Sequence, residues 1–477
     1  MKRIFLGAAL TLAGMAMPAF ANFDKAMESY TAGNFTEAYR SFDALAAIGD
    51  YSSAFNIGVM HYRGEYVEQD PVEGWAWMQL AASQSGSEDM MRTAGKIFAA
   101  LDSDGQKAAQ QRLDQLLHTH GKETILGDLN PVMLSDEECE IERTPIAKTQ
   151  PRYPTHELRR GRFGRVVLEY SVMPAGHVRD VTVAQSSADS FANAAAESAL
   201  SYRYEPAAVT EPTSGVKTAV SFNITGPVKN QHRLVAELNE WKGKAEAGDA
   251  VAQYVYAYRL GVFRSFRRFM KGVDLEYQAA NKWYLEAARQ GIPQAQFEIG
   301  RNMVMGRGCK ADTENGLKWI TAAAAAGVPE AQNYLATSVG AIPEADRREH
   351  AIRWLKNAAS NGHYFSGLLL AWELVSGPGA PSAQDLALAS DLVAAKPVNY
   401  FDEVRILETK AAVAAAQGSF KTAQKLQKRA IKTAGKLEWD LRDANHRQAA
   451  YLRGEKWSGP YYFDIELAPG SVQVAAE

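Results

Sequence analysis

Apolar and polar positions along this chain keep two different rhythms. Val166, Leu168, Tyr170 and Val172 alternate with their neighbours, and so do Val216, Thr218, Val220, Phe222 and Ile224. A period of two marks strands with one buried face. Pro174-Ala175-Gly176 lies between Val172 and Val178 and predicts a hairpin turn. An alanine-rich pattern from Phe191 to Tyr202 predicts a helix before the last strand.

On either side of this block the pattern is self-similar at long range. Gly-Ile-Pro-Gln-Ala-Gln-Phe from Gly291 returns as Gly-Val-Pro-Glu-Ala-Gln-Asn from Gly327. Trp283, Trp319 and Trp354 recur at steps of 36 and 35 residues, each followed by an alanine pair and then by Gly291, Gly327 or Gly362. Paired antiparallel helices need this pattern. Alanines let the helices approach, tryptophan fills the groove beside them, and a left-handed glycine ends the second helix. Gly33-Asn34-Phe35, Ala54, Gly58, Trp77 and Ala81-Ala82 repeat the device near the start. Asp70 follows Gly64 by six residues, as Asp312 follows Gly306, placing both as N-caps of a second helix.

These segments, Ser29 to Gly86 and Ala245 to about Ala395, resemble SEL-one-like repeats, relatives of tetratricopeptide repeats. Asp402 to Trp457, with Gln417-Gly418-Ser419-Phe420 between two helical patterns, resembles a diverged tetratricopeptide unit. The Ala341–Asp346 and Gly377–Pro381 stretches depart from the pattern. The central block has Pro151-Arg152-Tyr153-Pro154, Gly161, Gly164, the Gly176 hairpin, Ser186-Ser187 and Arg203-Tyr204-Glu205-Pro206-Ala207 in order. That ordered set resembles the C-terminal domain of TonB-family proteins. The resemblance implies helix, two strands, helix and strand around a three-stranded antiparallel sheet, and a domain that grips a receptor's extended peptide as an added strand.

Composition narrows the class. The 52 basic and 55 acidic residues leave a net charge of −3, which does not suggest a nucleic-acid binder. At 477 residues the chain is too long for one core. Met1-Lys2-Arg3, the apolar stretch Ile4–Ala13 and Ala19-Phe20-Ala21 read as a secretory signal cleaved after Ala21, which places the protein in a periplasm. Cys139 and Cys309 leave either one bridge or two lone thiols, the latter preferred. The expected fold class is multidomain α and α+β, with α-solenoid arrays flanking a TonB-like domain. Its parts are signal 1–21, repeats 22–127, linker 128–144, TonB-like domain 145–227, repeats 228–395, and diverged helices with a tail at 396–477.

Two binding features emerge, and no catalytic one. The third strand, with Val216, Lys217, Thr218, Ala219, Val220, Ser221 and Phe222, is either an open edge for a partner strand or an edge covered by repeats. The interval from Ala252 to Trp283 is seven residues longer than that from Ala295 to Trp319. It holds Phe263, Phe266 and Phe269 among Arg264, Arg267, Arg268 and Lys271, readable as a contact for an anionic partner. The preferred reading is that its phenylalanines pack on an adjacent helix. His118 and His120 are too close and isolated to argue for a metal. No His-Glu-x-x-His pair, Gly-x-Ser-x-Gly elbow or phosphate loop occurs, and Ser186-Ser187 has no evident base. The reading is a cofactor-free, non-catalytic periplasmic adaptor for envelope proteins or peptides, outer-membrane receptor segments or cell-wall polymer. The alternatives are a TonB-family energy transducer with an uncleaved anchor, and a cell-wall-associated enzyme regulator.

Overall fold

The computed structural model describes residues 21–135, 139, 145–162, 164–206, 213–222, 231–264, 272–337, 344–377, 379–397, 399–439 and 441–459. The proposed signal segment therefore lies outside the described residues, except for Ala21. The N-terminal helices are α1 (Ala21–Thr31), α2 (Phe35–Ala46), α3 (Tyr51–Arg63), α4 (Pro71–Ser85), α5 (Glu88–Ala100), α6 (Ser103–His120) and α7 (Lys122–Asp128). Asp70 caps α4 as its spacing predicts, accepting from the backbone N–H groups of Val72 and Glu73 at 2.9 and 3.0 Å. Helices α3 and α4 cross at a glycine pair. A Cβ on Gly58 would stand 2.7 Å from the Gly74 carbonyl oxygen, and one on Gly74 would stand 2.9 Å from that of Gly58.

The central block contains β1 (Pro145–Ala147), α8 (Thr155–Arg159), β2 (Gly164–Val172), β3 (Val178–Ser186), α9 (Asp189–Leu200), β4 (Arg203–Tyr204) and β5 (Thr213–Phe222). Strands β3, β2 and β5 form an antiparallel sheet in that order, and β1 pairs with β4. The last strand begins three residues before Val216; Ile224 lies outside the described residues. On one face Val166, Leu168, Tyr170 and Val172 bury against Phe191, Ala195, Ala196 and Ala199 of α9. Asp180 takes a left-handed φ of 55° where the β2–β3 register shifts, a bulge that re-aims its carboxylate.

The C-terminal helices are α10 (Gln231–Glu246), α11 (Ala250–Phe263), α12 (Tyr277–Arg289), α13 (Pro293–Met305), α14 (Thr313–Ala325), α15 (Pro329–Thr337), α16 (Glu344–Ser360), α17 (Tyr364–Ser376), α18 (Ala383–Ala394), α19 (Glu403–Ala416), α20 (Phe420–Lys436) and α21 (Arg442–Leu452). Gly291, Gly327 and Gly362 take the left-handed φ that their repeat positions require, at 84°, 88° and 85°. Gly300 and Gly316 reproduce the N-terminal glycine crossing. One repeated polar device escaped the sequence reading. Gln253, Gln296 and Gln332 each donate to the carbonyl eight residues upstream, of Ala245, Ala288 and Ala324. Each ties the start of one helix to the end of the preceding one.

The two arrays pack on one another. Ala322 of α14 joins the N-terminal core, while Ile125 and Leu129 join the core of the C-terminal repeats. The first part of the expected 128–144 linker is laid against that array. Met133 forms a β-bridge with Cys309, and the Lys310 N–H donates to the Val132 carbonyl at 2.8 Å. Residues 136–138 and 140–144 lie outside the described residues. No described helix is long and apolar enough to cross a membrane.

Candidate functional site

The two edges of the sheet have different surroundings. Along β3, residues 399–401 act as an extra strand. The Val183 N–H donates to the Asn399 carbonyl and the Phe401 N–H to that of Val181, both at 3.0 Å. Along β5, among the described residues, no backbone hydrogen bond runs to any segment other than β2. An unpaired strand edge offers alternating donors and acceptors to any extended chain that can reach it.

The side chains of β5 divide between two faces. Val216, Val220 and Phe222 pack with the α9 core. Thr218 is buried, and Ser221 is exposed. Lys217 turns to the repeats: its Nζ lies 2.5 Å from Glu298 Oε1 and over the Tyr258 ring. Arg301 of α13 bridges Glu169 on β2 and Glu298, both at 2.7 Å. Burial alone would raise the Glu298 carboxyl, but Arg301 and Lys217 overcome that and hold it down at about 2. Gly215, at φ 66°, lies where a Cβ would collide with the Arg301 guanidinium, so the close approach needs glycine. The repeats thus grip the sheet by its charged face.

A second grip holds the β3 side. Arg179 Nε meets Asp402 Oδ2 at 2.8 Å, and Arg405 Nε meets Asp180 Oδ1 at 3.2 Å; all four residues are buried. The Tyr400 hydroxyl donates to Asp180 Oδ1 at 2.9 Å, and Asp402 also caps α19 by accepting from the Arg405 N–H. Burial opposes ionisation of Asp402, yet Arg179 and Arg405 hold its carboxyl below the usual range. The Arg179 guanidinium lies 4.3 Å from the Trp439 ring centroid. Neither grip was visible in the sequence, because each joins residues far apart along the chain.

The basic aromatic run is only partly described. Phe263 is buried, with the Arg165 guanidinium 4.2 Å from its ring centroid. Burial, with Arg259 adding to it, lowers Arg165 to about 10. Arg264 stacks on Tyr277 at 4.1 Å and donates to the Leu275 carbonyl at 3.3 Å. Arg267, Arg268 and Lys271 lie outside the described residues. Ser187 Oγ accepts from the Arg165 N–H at 2.8 Å, and Ser186 Oγ donates to the Ala188 carbonyl at 2.7 Å, so both serine hydroxyls are engaged by backbone before α9. His118 binds the Asp114 carbonyl on its own helix, while His120 meets the Trp77 ring edge to face. Both cysteines are free thiols, and burial together with the nearby Cys139 pushes Cys309 up to about 12. Among the described residues, no group of three or more His, Cys, Asp or Glu is placed to hold a metal ion.

Residues 149–224 match the family described as Gram-negative bacterial TonB protein C-terminal. Residues 52–86, 250–292, 293–328 and 329–363 match the Sel1 repeat. A TonB-type sheet is inserted among Sel1 repeats. No curated protein matches the chain. Among solved structures, a Sel1 repeat protein from Oxalobacter formigenes is 18% identical, with 78% of this chain and 98% of that one covered at a TM-score of 0.28. The c5321 protein, a protective antigen of uropathogenic Escherichia coli strains displaying an SLR fold, is 16% identical, with 93% and 74% covered at a TM-score of 0.35. The TonB match includes all of β5, and the Sel1 matches include α11 and α13, whose side chains meet the sheet.

Proposed function

We propose that this protein is a non-catalytic adaptor of the Gram-negative envelope that accepts a partner's extended segment along β5. The observation that carries this reading is the difference between the two sheet edges. Residues 399–401 pair with β3, whereas the described residues give β5 no backbone partner beyond β2. Strand addition draws affinity from main-chain hydrogen bonds and makes modest demands on side-chain sequence. The helical repeats are the scaffold that presents this edge and a second surface for protein partners. Val216 to Phe222 are assigned to the docking strand, and the periplasm is the compartment this reading requires. The two buried ion-pair grips favour a held platform over the tethered terminal domain that an energy transducer would pull.

A photoreactive amino acid placed at Ser221 on β5, compared with one at Ala184 on β3, tests the proposal in the native envelope. Both positions are exposed. The adaptor reading expects a discrete adduct from position 221 and none from position 184. No adduct at position 221, or the same adduct from both positions, overturns it.

A further inference from the structure

Helix α20 carries a feature that strand binding does not use. Lys421, Lys425, Lys428, Lys432 and Lys436 follow one another at steps of four, three, four and four residues. At about 100° per residue they fall in one narrow sector of the helix, a ridge about 22 Å long. All five are exposed. The helix contains no Asp or Glu, and no carboxylate lies within ion-pair distance of these lysines among the described residues. Arg429, beside the ridge, pairs with Glu403 at 3.3 Å. Ala423, Gln427, Ala430 and Ala434 bury the opposite face, and Gln427 donates to the Ala444 carbonyl of α21 at 3.0 Å. The ridge is therefore fixed in orientation. It stands out in a chain whose net charge is −3.

The composition of the ridge narrows its partner. Protein interfaces concentrate aromatic residues and arginine and are depleted in lysine. Single-stranded nucleic acids call for stacking aromatics. Here no large exposed apolar or aromatic side chain interleaves the lysines. The charges are flexible ammonium groups, which suit diffuse negative charge better than bidentate recognition of one carboxylate. A straight row of such charges fits a flat sheet of anionic headgroups. We propose that α20 is a docking ridge for an anionic phospholipid surface.

Co-sedimentation of the full chain tests this with phosphatidylcholine vesicles and with vesicles in which a third of the lipid is phosphatidylglycerol. The apolar N-terminal stretch is common to every sample, so it cancels in the comparison. Stronger binding is expected on the phosphatidylglycerol vesicles, and that excess should fall steeply as salt rises. The triple variant Lys425→Gln, Lys428→Gln, Lys432→Gln should lose on the order of a hundredfold in affinity. The control Lys96→Gln, Lys107→Gln, Lys242→Gln removes the same charge from other exposed sites and should bind as the parent does. Glutamine keeps helix propensity close to that of lysine, so circular dichroism should be unchanged in both variants. Equal binding to both vesicles, or an unaffected ridge variant, overturns the proposal. Capture of soluble poly-glutamate, lost in the ridge variant and without vesicle binding, would assign the ridge to an acidic protein and overturn it as well.

Discussion

Asp402 shows how much one side chain can hold. It accepts from Arg179, satisfies an orphan N–H group at the start of α19 and sits beside the Asp180–Arg405 pair. Removing one member of such a buried set leaves its partners charged and undersatisfied, at a cost of about 3–5 kcal/mol. Asp402→Ala is expected to lower unfolding stability by that amount in urea titration, and Arg429→Ala, at an exposed pair, should change it far less. His363 sets a pH dependence. Its ring accepts the Ser366 N–H at 3.3 Å, and burial lowers it from 6.5 to about 4. As pH falls, the unfolded chain takes up this proton first. The stability from keeping the ring neutral is therefore complete above pH 6.5 and disappears between 6.5 and about 4. His363→Asn keeps a capping acceptor and should flatten the stability profile over that window, read by urea titration at several pH values. Glu330 and Glu373, both raised by burial, titrate above 4.5 in the folded chain and oppose this trend inside the same window, while His61, His120 and His350, lowered by burial, add to it, so the share of His363 is read as the difference between the parent and His363→Asn profiles. Asp70 and Asp312 were legible as caps because their partners are two or three residues away. Asp402 was not, since Arg179 lies 223 residues from it and no local offset encodes the pair.

Helix pairs depend on glycines for a reason their spacing only hints at. A Cβ on Gly300 would stand 2.6 Å from the Gly316 carbonyl oxygen, so alanine there has to push two backbones apart. Gly300→Ala should cost about 1–3 kcal/mol despite alanine's better helix propensity. Around Gly95 in α5 there is open space, with nothing within 4 Å of the place a Cβ would take, and Gly95→Ala should gain roughly 0.5–1 kcal/mol. Urea titration of the two variants checks both signs. The tryptophan, alanine and terminal-glycine positions revealed the repeats because their offsets recur along the chain. The Gln253, Gln296 and Gln332 ties sit in the same recurring Ala-Gln pairs, and that recurrence was the available signal. Alternation likewise located β2 and β5. The three-residue strand β1 is too short for a period and went unseen.

Across the whole molecule, the order of units was readable and their joints were not. Hydrophobic rhythm distinguishes a sheet from a helix pair, but it carries no information about which charged faces will meet. Arg301 supplies the joint between the sheet and the repeats. Arg301→Ala should loosen it: hydrogen exchange is expected to quicken in β2 and β5 while the amides of α3 and α4 keep their protection. The edge strand supplied by residues 399–401 has a further consequence, for stoichiometry. Filaments built by sheet stacking side to side need two bare flanks on every copy. Here one flank is already occupied from within the chain, so pairing through the other ends after a single guest, and two copies that met there would close into a finite dimer.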